Sequence, residues 1–242
     1  MAEPIVGATL GAVAPPDDYW PAIAEVCRRH GVLLVADEVM TGFGRTGRWF
    51  GLDHWGVRAD VMAAAKGAAG GYFPLGLAVA SGNVYETIAA GGGFVHGFTY
   101  SHSPVGAAVA GEVLRILETE NLVEASATKG GRLQALLQDR LGDHPSVGEI
   151  RGRGLLVGIE LVADRTTRRP FPRSARLIEG VMAHSRAAGL LLYHGTGNAD
   201  GTNGDTILLG PPFVVTDEEL LRIAETLAVA VDRAAGESAR KS

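Results

Sequence analysis

The sequence is short of several residue types, and each shortage excludes a class of protein. Cys27 is the single cysteine among 242 residues, which rules out an internal disulfide and fits the reducing cytoplasm. No apolar run is long enough to span a membrane, and the first residues lack the charged start and apolar core of a signal peptide. Basic residues number 22 against 27 acidic ones, so a nucleic-acid partner is not expected.

Several chemical signatures are missing as well. The sequence has no H-E-x-x-H or C-x-x-C pattern, and His96 and His102 do not have the spacing of a metal pair, so no metal site is expected. It also has no G-x-S-x-G nucleophile elbow. The glycine-rich stretch 41–47 has neither the order of a P-loop nor that of a dinucleotide-binding loop, so a tight structural turn is its simplest interpretation.

What the sequence does contain favours an α/β fold. Apolar residues make up 46% of the chain, and helix and strand patterns alternate along it. A helical pattern from Trp20 to Cys27 ends at Gly31 and is followed by the continuous apolar run 32–36. Such a run is typical of a strand covered on both faces, and it ends at Asp37, where open α/β sheets usually place their ligands.

The same arrangement occurs a second time. Residues 61–65 are small and apolar and lead to Lys66, and residues 75–80 predict another strand. Ser103 and Pro104 predict a helix start, because serine caps a helix and proline fits its first position. The chain has only three lysines, so a lysine at the end of an apolar strand is not a routine surface choice.

Beyond residue 120 the pattern changes to that of an α+β domain. An amphipathic stretch reaches Leu141, and strands are predicted near 147–150 and 155–161. A capping box at 216–219 predicts the start of a last amphipathic helix. The residues after Ala235 are polar, and we expect them to form a flexible tail.

Lys66 and Asp37 are the leading candidates for chemistry. A buried amine has a lowered pKa and can attack an aldehyde cofactor, whereas the structural alternative is a strand-end lysine that reaches back to water. A strand-end carboxylate could hold a protonated pyridine nitrogen, or it could be a helix cap, a metal ligand or half of an ion pair. Residues 97–104 suit either a phosphate or a plain helix start. The residue pattern alone leaves these alternatives open.

Taken together, these segments resemble the class III pyridoxal-phosphate-dependent aminotransferases, the ornithine, GABA and omega-amino acid group. Lys66 follows Asp37 by 29 residues and Thr99 follows Lys66 by 33, and both intervals suit that family. The matching strings occur in the family's order: DEVMTGFGRTG at 37–47, AKG at 65–67, GYFPLG at 71–76, TYS with a later proline at 99–104, RGLLVGIEL at 153–161 and PPF at 211–213.

The resemblance implies a reaction and a cofactor, pyridoxal 5′-phosphate. Lys66 would form the Schiff base with the cofactor and move protons between the substrate α-carbon and cofactor C4′. Asp37 would pair with the pyridinium nitrogen, with Val39 and Met40 beside the ring. The reaction implied is amino-group transfer between an amino donor and a keto acid.

The resemblance also implies an assembly and a domain plan. Thr99, with the backbone of Phe98, would reach the cofactor phosphate of the neighbouring subunit, which implies a cytoplasmic homodimer with shared active sites. The fold implied is a fold-type I transferase with three parts: a partial large domain with a mostly parallel sheet over 1–120, a small α+β domain over 121–235, and the flexible tail over 236–242.

Two departures from the family limit what the resemblance implies. Family chains are nearly twice as long, and Glu3-Pro4 matches a motif that lies mid-chain there, so we expect this chain to be the later part of a longer protein. Leu208 also stands where the ornithine-type branch has a carboxylate-binding arginine, and Arg153 is a candidate replacement. The substrates therefore stay open. So do two other functions: a mutase, epimerase or decarboxylase of the same fold, or a silent chain that only dimerises.

Overall fold

A computed structural model describes residues 1–239, and these residues form two compact units. The first unit combines residues 1–5 with 15–124, and the second combines residues 6–14 with the chain from Ala125 onward. The main division between the units falls between Glu124 and Ala125. Segment 6–14 differs from the prediction, since the structure groups it with the second unit.

The first unit is a small sheet with helices. The helix Tyr19–His30 ends at the C-cap Gly31, which has the left-handed φ of 62° that glycine adopts easily, as the sequence predicts. Two 3-10 helices, Gly51–Trp55 and Lys66–Ala69, interrupt the regular elements. The regular elements are α1 (Tyr19–His30), β1 (Val35–Asp37), β2 (Val61–Ala64), β3 (Leu77–Ala80), α2 (Gly82–Ala90) and α3 (Pro104–Thr119).

The pairing of β1 with β2 decides where the first unit places its polar residues. These two strands are parallel, and β3 joins β2 on its other side in the antiparallel direction. The register sets Asp37 opposite Ala63, close to the end of β2. The carboxyl ends of β1 and β2 therefore meet at one edge of the sheet.

A small apolar core around Trp20 supports β1. Trp20 of α1 is buried against Leu34 and Ala36 of the β1 region and against Leu52 of the first 3-10 helix. The Trp20 indole N–H donates a hydrogen bond of 3.0 Å to the carbonyl oxygen of Pro4. The polar edge of the indole is therefore satisfied inside the core.

The run 32–36 is not covered on both faces, and that prediction was wrong. Only from Val35 onward does the run form a strand, and Val32 and Leu33 are 57% and 56% exposed. The reason is the alternation of a half-covered strand, since only every second side chain of the run reaches the core around Trp20.

The second unit is an antiparallel sheet with helices. Its strands lie in the order β4-β5-β7-β6, and neighbouring strands are all antiparallel. Side chains from α4, β4, β5, α5, β7 and α6 form one continuous apolar core. The elements are α4 (Leu122–Leu141), β4 (Val147–Arg153), β5 (Leu156–Leu161), α5 (Leu177–Ala187), β6 (Tyr193–Thr196), β7 (Asp205–Leu209) and α6 (Asp217–Ala239), with a 3-10 turn at Arg173–Ala175.

The last helix begins as predicted and ends later than predicted. Thr216 and Glu219 form the capping box, in which the Glu219 N–H donates to Thr216 Oγ1 at 3.2 Å and the Thr216 N–H donates to Glu219 Oε2 at 2.8 Å. Residues 236–239 are helical rather than a flexible tail, because Glu237 bonds to His184 at 3.0 Å and Ser238 is buried. Residues 240–242 lie outside the described part. No helix within residues 1–239 has the length and apolarity needed to cross a bilayer.

Arg151 holds segment 6–14 in the second unit. Its guanidinium donates hydrogen bonds to the carbonyl oxygens of Gly11 at 2.8 Å and Leu10 at 2.7 Å, and it pairs with Glu149 and Glu160 on the same sheet. The segment also lies tightly on β5, where a Cβ added at Gly158 would stand 2.0 Å from the Gly11 oxygen. These contacts, 140 positions apart in sequence, explain why the segment leaves the first unit.

Asp205, which is 4% exposed, makes the stability of the protein depend on pH. Burial raises the pKa of this carboxyl above its ordinary 3.8, although Arg173 and the Ile178 N–H act in the opposite direction. The folded state then keeps its proton to higher pH than the unfolded state, so the free energy of unfolding falls as pH rises through the folded-state pKa. We expect Asp205→Asn to flatten this fall, as measured by urea unfolding between about pH 4 and pH 7. An unchanged pH profile would contradict the assignment.

Candidate active site

The parallel pairing of β1 and β2 brings the two leading candidates to one edge of the sheet. Asp37 is the last residue of β1, and Lys66 follows the end of β2 after one residue. The Glu38 N–H donates to the Ala63 carbonyl oxygen at 2.8 Å, so the ladder continues past the acid. The strand-end positions predicted for both residues follow from this register.

Lys66 has an unusual backbone and an exposed side chain. Its φ of 42° is left-handed, a conformation that lysine rarely adopts and that often occurs at functional sites. The expectation of a buried amine was wrong, because the side chain is exposed. The reason lies in β2, whose residues 61–63 are only half-buried, so the strand is not covered on both faces. The position of Lys66, and not its burial, supports a chemical role.

Asp37 presents a carboxylate with one oxygen fixed by its own turn. Its Oδ1 accepts a hydrogen bond of 3.1 Å from the Val39 N–H. Within residues 1–239, Oδ2 takes part in no hydrogen bond, and the side chain is half-buried. Val39 and Met40 follow, and both are also half-buried. The strand end therefore offers an anionic oxygen beside two partly exposed apolar side chains.

Glu38 is a residue of this site that the sequence reasoning passed over. Its side chain is 1% exposed, and burial raises the pKa of its carboxyl above the ordinary value, a rise that the hydrogen bonds it accepts offset only in part. Its Oε2 accepts from the Thr41 hydroxyl and from the Gly51 N–H at 2.7 Å, and its Oε1 accepts from the Leu52 N–H at 3.0 Å. The one sequence signal was Thr41, three positions later, because the other two donors come from a distant loop.

The glycine-rich stretch 41–47 folds as a tight turn that packs next to Lys66. Phe43 is buried with a φ of 57°, and a Cβ added at Gly67 would lie 3.1 Å from the Phe43 Cβ. Burial also lowers the pKa of Arg45 in this turn to about 10. The turn after Asp37 and the residue after Lys66 are therefore in direct contact.

The predicted phosphate-binding residues lie in an exposed turn before α3. Phe98 and Thr99 are exposed, and the Phe98 N–H donates to Ser101 Oγ at 3.1 Å. Ser103 caps α3 as predicted, since its Oγ accepts from the Gly106 N–H at 3.2 Å. No hydrogen bond within the described part joins Phe98 or Thr99 to Asp37 or Lys66, so their role stays a prediction.

The groups at the sheet edge fit an organic cofactor that carries an aldehyde and a ring nitrogen. The Lys66 amine is the group that an aldehyde requires, and the Asp37 carboxylate is the group that a protonated pyridine nitrogen requires. Val39 and Met40 are half-buried, and their packing against a flat ring stays a prediction. Residues 1–239 contain no group of three or more His, Cys, Asp or Glu side chains arranged to hold a metal ion.

The fold and this edge define a fold-type I transferase. The sequence model of the family described as aminotransferase class-III matches residues 1–231, and the chain therefore belongs to that family. An uncharacterized aminotransferase of Bacillus subtilis, YodT, is 40% identical over 237 residues, which are 96% of this chain and 53% of that protein. The chain spans about half the length of the curated relatives that it matches.

Solved structures give the same result. A transaminase from a marine Virgibacillus has a TM-score of 0.91 and 37% identity, and the match covers 99% of this chain and 53% of the other. An omega transaminase of Pseudomonas jessenii, solved in complex with PMP, has a TM-score of 0.87 and 38% identity, with coverage of 97% and 50%.

Leu208, which the resemblance places where the ornithine-type branch has a carboxylate-binding arginine, has a side chain that cannot pair with a carboxylate. Leu208 is only 6% exposed within β7 and carries no charge. Arg153, the candidate replacement, lines a cavity of about 520 Å³ in the second unit together with Gln134, Glu149 and Arg151. A substrate-binding role of Arg153 stays a prediction.

Proposed function

We propose that this chain forms part of an enzyme that transfers amino groups between an amino donor and a keto acid, with pyridoxal 5′-phosphate as cofactor. The observation that carries the proposal is the parallel register that sets Asp37 and Lys66 at one sheet edge. Membership of the class-III aminotransferase family supports it. The PMP bound to the Pseudomonas jessenii transaminase favours this cofactor.

Each residue of the edge has a defined task in this proposal. The bound cofactor supplies an aldehyde that captures amines and a ring that accepts electrons. The Lys66 amine would hold the cofactor through its aldehyde carbon, with the aldehyde oxygen leaving as water, and would take and return the proton at the substrate α-carbon. The Asp37 carboxylate keeps a proton on the ring nitrogen, and Val39 and Met40 pack against the ring.

We further propose a homodimer with shared active sites. The turn that carries Phe98 and Thr99 exposes several large apolar side chains, a condition that favours association. Phe94 is 73% exposed, Val95 97% and Tyr100 93%. A second copy that covers this turn would bring the Thr99 hydroxyl and the Phe98 backbone to its neighbour's cofactor phosphate. The single cysteine favours a cytoplasmic location.

Two alternatives remain distinct from this proposal. In a mutase, epimerase or decarboxylase of the same fold, Lys66 and Asp37 would have the same tasks, because the pocket selects the bond that breaks. In a silent chain, the exposed turn would serve dimerisation alone.

One titration followed by one product assay separates these functions. On adding pyridoxal 5′-phosphate to the chain we expect a visible absorption band, and nitrogen transfer from a supplied amino donor to a keto acid identifies the aminotransferase, although we expect the turnover of this chain alone to be weak. A band with racemised or decarboxylated product and no nitrogen transfer identifies the first alternative. No band at any cofactor concentration identifies the silent chain.

A further inference from the structure

The Glu38 carboxylate binds the segment 41–52, which lies between Asp37 and β2 in the sequence. It accepts three hydrogen bonds while being 1% exposed, and all three donors lie within 41–52. Two of the donors are backbone N–H groups at the start of the 3-10 helix Gly51–Trp55. A buried carboxyl group that accepts this number of hydrogen bonds is well satisfied inside a protein.

The backbone of Glu38 makes two further hydrogen bonds, one of them to the sheet. Its N–H donates to Ala63 of β2 at 2.8 Å, and its carbonyl oxygen accepts from the Gly42 N–H at 2.9 Å. The side chain of Glu38 thus bonds to residues within 41–52, and its backbone bonds to β2 and to Gly42. The turn that starts at Asp37 and contains the Val39 N–H is therefore fixed by both sets of Glu38 hydrogen bonds.

These contacts extend to the residue after Lys66. Thr41, which donates to Glu38, is followed two positions later by Phe43, and Phe43 packs against Gly67. Gly42 allows little adjustment, since a Cβ there would stand 2.8 Å from the Glu38 carbonyl oxygen. Packing and hydrogen bonds therefore connect Glu38 to Gly67 through residues 41–43.

From these contacts we infer that Glu38 is a positioning residue that sets the Asp37 carboxylate against the ring nitrogen of the cofactor. The inference rests on the function proposed above and adds a residue with no contact of its own to the cofactor. Glutamine cannot replace glutamate here. In either orientation of its amide, the NH₂ group faces a backbone N–H of Gly51 or Leu52.

The test compares the affinity for pyridoxal 5′-phosphate with that for its 1-deaza analogue, in which a carbon replaces the ring nitrogen. We expect the unaltered chain to prefer the natural cofactor about tenfold, as for one charge-assisted hydrogen bond. Asp37→Asn should reduce this ratio to about one, and Glu38→Gln should do the same. A merely structural role would weaken both ligands equally and leave the ratio unchanged.

Asp60→Asn is the matched control. Asp60 is a carboxylate at the opposite end of β1, and its Oδ2 accepts from the Leu34 N–H at 2.7 Å. We expect its variant to keep the tenfold ratio. A ratio retained in Glu38→Gln, or lost in Asp60→Asn, overturns the inference while the proposed function stands. An unaltered chain that binds neither ligand overturns the proposed function and the inference with it.

A second measurement needs no cofactor. Hydrogen exchange of the Val39 amide, which donates to Asp37, should become at least about tenfold faster in Glu38→Gln and stay unchanged in Asp60→Asn. If Glu38→Gln does not fold, Thr41→Val and Thr41→Ser carry both measurements. Valine removes the hydroxyl donor and should reproduce the loss, and serine should restore the ratio. Equal behaviour of these two variants overturns the inference.

Discussion

Replacing Lys66 with alanine should abolish covalent attachment of the cofactor and reduce amino transfer by more than about a thousandfold. The Lys66 amine lies at the sheet edge and can condense with an aldehyde, and it also carries the α-proton in the proposed reaction. The side chain is exposed, so its removal leaves no cavity, and we expect the unfolding midpoint to stay unchanged. The visible absorption band with pyridoxal 5′-phosphate measures attachment directly.

Two further variants make the Lys66 result specific. Lys66→Arg keeps the positive charge but cannot form the bond, so it should also lose the band. Lys129→Met removes another lysine, whose Nζ donates to the Phe213 carbonyl oxygen at 2.7 Å, and it should keep the band. A band that survives in Lys66→Ala, or disappears in Lys129→Met, would place the attachment on a different residue.

Replacing Gly130 with alanine should destabilise the second unit by more than about 3 kcal/mol. Gly130 lies in α4, directly against the turn between β4 and β5. A Cβ there would stand 2.0 Å from the carbonyl oxygen of Gly154 and 2.1 Å from its carbonyl carbon. Both atoms belong to the backbone, so the helix or the turn would have to move. Urea unfolding followed by circular dichroism gives the size of the effect.

The neighbouring glycine is the control for this prediction. Gly131 also lies in α4, but an added Cβ there would meet nothing within 4 Å. Gly131→Ala should therefore stabilise the helix by up to about 1 kcal/mol, because alanine has the higher helix propensity. Similar effects at the two positions would show that helix propensity, rather than contact with Gly154, decides the outcome.

The features that the sequence predicted correctly depend on neighbouring residues. Gly31 ends α1 through its own left-handed backbone, and Ser103 caps α3 three residues before its donor. The strand-end position of Asp37 and Lys66 could be predicted because each follows a short apolar run. Such signals are complete within a few residues and need no tertiary contact.

The features that the sequence did not predict depend on distant contacts. The prediction that Lys66 is buried was wrong because the burial of β2 depends on the elements that pack against it and not on the apolarity of its own residues. The hydrogen bonds of Glu38 were missed because Gly51 and Leu52 follow it by 13 and 14 positions. The placement of segment 6–14 was missed because its holder, Arg151, lies 140 residues further along the chain.

Residues 1–5 belong to the first unit and residues 6–14 to the second, so no single cut yields the second unit intact. A fragment that starts at Ala125 would lack the nine residues 6–14, and the guanidinium of Arg151 would lose two of its acceptors. We expect a peptide with the sequence of residues 6–14, supplied in trans, to restore these acceptors. Any fragment that carries the second unit therefore has to include or be supplied with residues 6–14 to keep these hydrogen bonds.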